Sequence, residues 1–180
     1  MKVVIDSTGV ILLAKGDILR EVCSIADIET TEEVKSEVMV GLDKGRKDAL
    51  YMQELMKEGK IKVTRANEGL TGKFRKDFNI GSGEASTIAV STSRKIPMLT
   101  DDNKARKVGK ILGIEVLSSL DFPPILYEKG VITYDKAKAY LEVSKKENWF
   151  SESVLTEAFN ALERIRGEKD ENSADNSQVA

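Results

Sequence analysis

The first strand of this chain is the sequence feature that most constrains its fold. Val3, Val4 and Ile5 form an apolar run that leads directly into Asp6 and then into a turn signal at residues 7–9. Because consecutive side chains of a strand point to opposite faces, an unbroken apolar run is typical of a strand covered on both faces, as in a parallel sheet. Such sheets bind ligands at the carboxyl ends of their strands. Asp6 is therefore predicted at that edge, although helix capping is the simpler interpretation of this residue taken alone.

The composition excludes several kinds of catalytic site. The chain has no histidine, which excludes Ser-His-Asp and Cys-His catalysis and zinc sites with histidine ligands. Cys23 is the only cysteine, so the chain has neither a disulfide framework nor a thiolate metal cluster. A metal would have to be held by oxygen ligands, which indicates Mg²⁺ or Mn²⁺.

The hydropathy profile is that of a soluble globular protein. The chain is 41% hydrophobic and 32% charged, and no apolar run approaches the roughly 20 residues that span a bilayer. The sequence enters its first strand directly, without the features of a signal peptide. We therefore expect no membrane association and a cytoplasmic location.

Strands and helices alternate over the first part of the chain. Further strands are predicted near residues 25–28, 61–63 (an edge strand), 96–100 and 114–117. The predicted helices between them begin near Gly9, at the capping box of Thr30 and Glu33, near Gly45, at Ser82 as a cap, and at Asn103. Residues 67–80 are predicted as an exposed loop or mobile helix. In the helix of residues 45–57, we expect Leu50, Tyr51 and Leu55 to face inward. The alternation predicts an α/β fold with a mostly parallel sheet and helices on both faces.

The remainder of the chain is predicted to be helical up to an acidic end. From residue 119 onward, helices open at Pro123-Pro124, Thr133 and Ser151. Residues 168–180 consist mostly of Asp, Glu, Asn, Ser and Gln and are predicted to be disordered. We therefore expect a catalytic core at residues 1–118, a C-terminal helical extension of the same domain at 119–167, and a disordered acidic tail at 168–180.

Acidic residues recur at four places that point toward a cleft. Asp6 and the pair Asp101-Asp102 follow predicted strands, Glu37 flanks the buried stripe of a helix, and Glu84 lies in the first turn of a closely packed helix. Each residue alone has an ordinary interpretation, either as a cap or as a surface acid. Clustered carboxylates repel one another unless a cation neutralises them. Together they predict a divalent metal site able to activate water and clamp a phosphodiester.

The positive charges are unevenly distributed. Residues 44–76 contain ten Lys or Arg and four acids, and residues 94–110 contain six bases and two acids, although the net charge is only −2. A basic stripe is typical of a protein that binds a polyanion, although a solvated helix surface gives the same pattern. We expect these bases, including Lys73, Arg75 and Lys76, to flank the acidic cleft and steer the backbone of a polyanion such as a nucleic acid.

The order of these motifs resembles that of the PIN-domain ribonucleases. The motifs are Asp6, then Val34-x-x-Glu37-Val38, then Gly83-Glu84-Ala85-x-x-x-Ala89, then Leu99-Thr100-Asp101-Asp102. The resemblance is closest to VapC-like toxins with a DD-x-x-A-R helix, here residues 101–106, and it extends to segments 126–132 and 148–151. The implied fold is a PIN-like three-layer α/β/α arrangement with extra C-terminal helices.

The resemblance also implies an activity, a cofactor and partners. It implies an endoribonuclease that uses Mg²⁺ or Mn²⁺ to direct water at phosphorus, leaving a 5′-phosphate and a 3′-hydroxyl. The implied catalytic residues are Asp6, Glu37, Glu84 and Asp102, with Asp101 as an alternative or additional metal ligand beside Asp6, Glu84 and Asp102. The implied supporting residues are Thr8 and Thr100, and the implied partners are RNA, a small antitoxin protein and a second copy of the chain. Lys104 and Arg106 are added to the bases expected to contact the RNA backbone.

Two other functions fit parts of the pattern. A phosphatase of the haloacid dehalogenase type would use Asp6 as a phosphorylated nucleophile, but Thr8 stands where those enzymes normally carry a second Asp. A PIN fold that binds RNA or protein without cutting would usually have lost some of the acids. All four acidic positions are present here.

Overall fold

The core of the structure is a five-stranded sheet in which every pair of neighbours is parallel. This computed structural model describes residues 1–147 and 150–178, with side chains at 1–147 and 150–171. The strands are β1 (Lys2–Ile5), β2 (Asp27–Thr31), β3 (Ile61–Thr64), β4 (Met98–Leu99) and β5 (Val116–Leu117), in the spatial order β3-β2-β1-β4-β5. The predicted α/β class and parallel sheet are confirmed, and β3 is the predicted edge strand.

Ten α-helices follow or separate the strands in the described part of the chain. Two short 3-10 helices lie at Leu42–Lys44 and Ser119–Asp121. The α-helices are α1 (Ser7–Lys15), α2 (Leu19–Ile25), α3 (Glu32–Met39), α4 (Lys47–Lys57), α5 (Glu68–Phe78), α6 (Ser82–Arg94), α7 (Asn103–Ile111), α8 (Phe122–Glu128), α9 (Tyr134–Lys146) and α10 (Glu152–Gln178). The chain divides into one compact unit at Met1–Ser119 and a second at Leu120–Ala180.

Both faces of β1 are buried. Val3, Val4 and Ile5 are each 0% exposed although successive side chains point to opposite faces. Val4 belongs to an apolar cluster with residues of α5, α6 and α7. On the other face, Gly9 of α1 lies so close to Ile5 that a Cβ on Gly9 would be 3.0 Å from its Cγ1. Helices therefore cover the sheet on both sides, as the apolar run predicts.

The chain reverses its direction of travel across the sheet beside β1. The first three strands step outward from β1 to β3, and β4 then pairs with the opposite edge of β1, where Ile5 is in register with Leu99. Such a switch point opens a crevice at the carboxyl ends of the two central strands. Asp6 follows β1 and Thr100 follows β4, so both residues lie at this crevice.

Two helix caps differ from those predicted. Thr30 lies inside β2, and Thr31 caps α3 by accepting a hydrogen bond from the Val34 amide at 3.2 Å. The strand continues one residue further than the capping-box pattern indicates because β2 pairs with β3 up to Thr31. Similarly, α6 is capped by Gly81, and Ser82 is its first helical residue.

Two packing predictions for α4 and α5 also need correction. Leu50, predicted to face inward, is 50% exposed, whereas Ala49, Met52 and Leu55 form the buried side of α4. Residues 67–80, predicted as a loop or mobile helix, contain the ordered helix α5, whose Phe74 is 6% exposed. Burial of Phe74 against the α6 side of the core stabilises a segment that is otherwise polar.

The C-terminal unit consists of α8, α9 and α10. Thr133 caps α9 as predicted, accepting from the Lys136 amide at 3.2 Å. Helix α10 continues to Gln178, through most of the segment for which the sequence predicts disorder. Residues 148 and 149 of the motif at 148–151, and residues 179 and 180, lie outside the described residues. Within the described residues, no helix has both the length and the hydrophobicity that crossing a bilayer requires.

Candidate functional site

Asp6 lies at the centre of a hydrogen-bond network at the carboxyl end of β1. Its Oδ1 accepts from the Thr8 hydroxyl at 2.7 Å and from the Gly9 amide at 2.9 Å, and its Oδ2 accepts from the Thr100 hydroxyl. The Gly9 contact also makes Asp6 the N-cap of α1. Both interpretations of Asp6 therefore hold at once, because the residue caps a helix and also lies in the crevice at the switch point. Thr8 and Thr100, the two predicted supporting residues, both contact it.

Burial makes the Asp6 carboxylate difficult to ionise. The residue is only 1% exposed, and this desolvation raises its pKa to about 7. The three hydrogen-bond donors lower the pKa of Asp6 but do not outweigh burial. The nearby charge of Asp101 acts in the same direction as burial and raises the pKa further. A divalent cation bound here would displace this proton, since a carboxylate must be deprotonated to bind a metal, and its charge would lower the pKa of Asp6 again.

Asp101 is the second buried carboxylate of the crevice. It is 5% exposed, and burial raises its pKa. Its Oδ1 accepts from the Ser118 hydroxyl at 2.7 Å and from the Ser119 amide at 3.0 Å. Its Oδ2 is buried and has no hydrogen-bond partner among the described residues. A buried carboxylate oxygen without a donor is costly, and a bound cation would satisfy it.

Asp102 has a different role from its neighbour. Its Oδ1 accepts from the backbone amides of Lys104 at 2.9 Å and Ala105 at 2.7 Å, so Asp102 caps the N-terminus of α7. It is partly exposed, whereas Asp101 is buried. The sequence did not distinguish the two as metal ligands, and the burial and unsatisfied oxygen of Asp101 favour that residue.

Two serines in the crevice were not singled out from the sequence. Ser118 and Ser119 directly follow β5, and both are buried, at 4% and 0% exposed. They fix one oxygen of Asp101, as described above. The signal that would have identified them is the one used for Asp6 and Asp101, namely polar residues at the end of an apolar strand.

The first turn of α6 lies at the same edge of the sheet. The hydroxyls of Thr31, at the carboxyl end of β2, and Ser86, in α6, are 2.7 Å apart and hydrogen-bonded. Ser86 also donates to the Gly83 carbonyl at 2.9 Å. This contact places the N-terminus of α6, with Glu84 in its first turn, beside the carboxyl ends of the central strands.

Glu37 and Glu84 both lie against this first turn. The Glu37 Oε1 accepts a hydrogen bond from the Gly83 amide at 2.9 Å, which joins α3 to α6. Glu84 folds back over Gly81, where a Cβ on the glycine would overlap the Glu84 Oε2. Both carboxylates are stabilised by the positive end of the α6 dipole. Glu37 is exposed and Glu84 is partly exposed, unlike Asp6 and Asp101.

The acids therefore form two pairs at one edge, rather than a single cluster. Within residues 1–147 and 150–171, no three acidic or cysteine side chains are arranged to hold one metal ion. The buried pair, Asp6 and Asp101, still fits a hard divalent cation, because Asp101 offers an unsatisfied buried oxygen. Mg²⁺ commonly binds through one or two carboxylates and completes its coordination with water and substrate phosphate.

Two basic side chains of α7 lie beside this edge. Lys104 donates to the Asn79 carbonyl at the end of α5, and Arg106 donates to the Thr100 carbonyl at 3.2 Å. These two cations thus also brace the backbone beside the acids. Lys73, Arg75 and Lys76 are exposed on α5.

Comparisons with known proteins found a matching family model and similar solved structures. The model of a family described as PIN domain matches residues 2–164. One similar solved structure is VapBC2 from Rickettsia felis bound to a DNA fragment from its promoter, with 12% sequence identity and a TM-score of 0.47 over 66% of this chain and 98% of that chain. Another is PAE2754 from Pyrobaculum aerophilum, with 16% sequence identity and a TM-score of 0.43 over 62% of this chain and 96% of that chain. No protein of curated function matches the chain.

Proposed function

This chain belongs to the PIN-domain family, and from that premise we propose that it is a divalent-metal-dependent endoribonuclease. PIN domains are in general nucleases, so at a coarse level the family predicts a hydrolase. The observation that carries the finer proposal is the buried pair Asp6 and Asp101, contributed by neighbouring strands at the switch point. Burying two carboxylates side by side is unfavourable unless a cation compensates their charge.

Each acid has a proposed role in that reaction. Asp6 and Asp101 would hold the metal, Mg²⁺ or Mn²⁺, and water and substrate phosphate would complete its coordination. Glu84 and Asp102, which the sequence proposes as further ligands, would add negative charge at the same edge. A divalent cation there supplies Lewis-acid stabilisation of the charge on the phosphoryl oxygens. Glu37 has one carboxylate oxygen on the Gly83 amide, and its exposed side chain would orient the attacking water. Thr8 and Thr100 keep the Asp6 carboxylate in place.

The basic residues and the toxin resemblance define the proposed partners. Lys73, Arg75 and Lys76 would contact the RNA backbone, and the braced cations Lys104 and Arg106 would add positive potential beside the scissile phosphate. We propose RNA as substrate, with the chain acting as the toxin of a toxin–antitoxin pair. A small protein antitoxin and a second copy of the chain are the further proposed partners.

Cleavage of a labelled single-stranded RNA tests the proposed nuclease. Wild-type protein with Mg²⁺ or Mn²⁺ should cut the RNA, and chelation with EDTA should abolish cutting. Asp6→Asn and Asp101→Asn should each lower the rate by roughly 100-fold or more, because each removes a carboxylate that stabilises the loaded site. In cells, expression of the wild type alone should arrest growth, and Asp6→Asn should not.

The matched control is Asp43→Asn, which changes an exposed Asp outside the crevice in the same way. It should leave cleavage unchanged. Equal cutting by wild type and Asp6→Asn would identify a contaminating nuclease. Cutting that persists in EDTA would contradict the metal-dependent mechanism.

One observation favours a second function, a PIN-fold adaptor that binds RNA without cutting it. The acids of the described residues do not form a three-carboxylate site, and a protein that does not cut RNA would not need one. If RNA binds but is not cut, and if Mn²⁺ does not raise the melting temperature, the adaptor is the better description. The phosphatase alternative has no such support, since the chain matches the PIN family and carries Thr8 where those enzymes normally have a second Asp.

A further inference from the structure

The first turn of α6 contains two glycines, each of which lies directly against a carboxylate. A Cβ on Gly83 would overlap the Glu37 Oε2 and lie 2.8 Å from the Glu37 Cδ. A Cβ on Gly81 would likewise overlap the Glu84 Oε2. Real Cβ atoms do not make contacts this short, so each carboxylate occupies the space that a side chain would fill.

Neither glycine is required by the backbone conformation. Gly81 has a φ of −67°, and Gly83 is helical, so neither lies in the left-handed region that favours glycine. Of the other glycines, Gly45, Gly59, Gly113 and Gly130 do have positive φ. The requirement for glycine at 81 and 83 therefore comes from the neighbouring carboxylates.

We propose that Gly81 and Gly83 are positioning residues. Because they have no side chains, they leave the space in which the Glu84 and Glu37 carboxylates lie at the edge of the catalytic crevice. The Gly83 amide donates a hydrogen bond to the Glu37 carboxylate, and the absence of a Cβ on Gly83 lets that carboxylate lie against its backbone. This inference rests on the proposed nuclease function, in which Glu37 orients water and Glu84 contributes negative charge.

The geometry predicts that a side chain at residue 83 will lower the activity without lowering the stability. The atoms that a new Cβ would meet are the ends of flexible Glu side chains, which can swing away at little cost to the fold. Alanine also favours a helix more than glycine does. Gly83→Ala should therefore keep the melting temperature within a few degrees of wild type, while kcat falls about 10- to 100-fold through displacement of Glu37. KM should change little, because the RNA-binding cations are untouched.

The matched control is Gly72→Ala in α5, where a Cβ would meet nothing within 4 Å. It should give the same helix stabilisation without loss of kcat. In a Glu37→Gln background, Gly83→Ala should produce no further loss, because Gly83 acts through Glu37. Full kcat in Gly83→Ala, or an additive loss in the double variant, would overturn the proposal.

An activity-independent measurement separates this proposal from the nuclease itself. In a ¹⁵N–¹H spectrum, Glu37→Gln should move the Gly83 amide proton upfield, since an amide bonded to a carboxylate resonates downfield. Gly72 should not move. An unshifted Gly83 resonance would overturn the proposal even if RNA is cut. A shifted resonance in a protein that cuts no RNA would uphold the contact and would instead refute the nuclease function.

Discussion

At the scale of single residues, the crevice combines one strongly perturbed acid with neighbours that hold it in place. Asp6 is buried, and its pKa is raised from 3.8 to about 7. Between these values, the native state binds more protons at Asp6 than the unfolded chain does. The contribution of Asp6 to stability is therefore fully present below pH 3.8 and is lost as the pH rises through about 7.

Asp6→Asn removes this titration and should stabilise the metal-free protein at high pH. The gain over wild type should be small near pH 4 and should grow to at most about 4 kcal/mol by pH 8, at about 1.4 kcal/mol per unit of pKa. Urea unfolding in EDTA at several pH values measures it. Asp43→Asn, at an exposed site, serves as the control. A difference between Asp6→Asn and wild type that does not vary with pH would contradict the raised pKa.

At the scale of secondary-structure elements, α5 shows how tertiary contacts order a basic segment. Phe74 and Thr71 are buried while Lys73, Arg75 and Lys76 are exposed, so the helix presents three cations to solvent. Lys104 of α7 donates to the carbonyl of Asn79, the C-cap of α5, which ties the two basic helices together. This arrangement gives the proposed RNA surface a defined location.

Reversing the charge of all three α5 bases to Glu should weaken RNA binding and flatten its salt dependence. The slope of log K against log [salt] should fall in magnitude by about 2, since each phosphate contact with a single strand contributes about 0.7. Fluorescence anisotropy at four salt concentrations measures the slope. The control reverses Lys129, Lys145 and Lys146 in the C-terminal unit, which are also exposed. Equal slopes for wild type and the α5 variant would refute this surface.

At the scale of the whole molecule, the acidic C-terminal segment continues a packed helix. Lys169 of α10 donates to the Tyr127 carbonyl at 2.7 Å, and its ammonium lies 4.6 Å from the centre of the Tyr127 ring. Arg166 lies 4.4 Å from the centre of the Tyr134 ring. These contacts anchor the helix just before and within the segment for which the sequence predicts disorder.

Truncation after Gly167 distinguishes a helical end from a disordered one. If α10 continues to Gln178, the truncated protein should lose helical circular-dichroism signal at 222 nm. Its free energy of unfolding should fall by about 0.5–2 kcal/mol, because the Lys169 contacts are lost. Lys169→Met in the full chain should lose a similar amount of stability and keep most of the helical signal. Lys146→Met, at an exposed position of α9, is the control. An unchanged spectrum and melting temperature after truncation would favour the disordered tail.

The sequence by itself determined the features that depend on local pattern. The apolar run of β1 and the strand–helix alternation predicted the parallel sheet, because burial on both faces leaves a continuous hydrophobic signal. Acids placed directly after strands predicted the crevice, because parallel strands bring their carboxyl ends to one edge.

Only the tertiary structure decided which member of each local pair faces the core. Asp101 and Asp102 are adjacent and chemically identical, but only Asp101 accepts a hydrogen bond from Ser118, which follows the neighbouring strand β5. Thr31 caps α3 in place of Thr30 because pairing with β3 extends the strand, and α5 is ordered because Phe74 finds a core that α6 and α7 supply. Such choices depend on contacts between distant segments, and a periodic pattern carries no information about them.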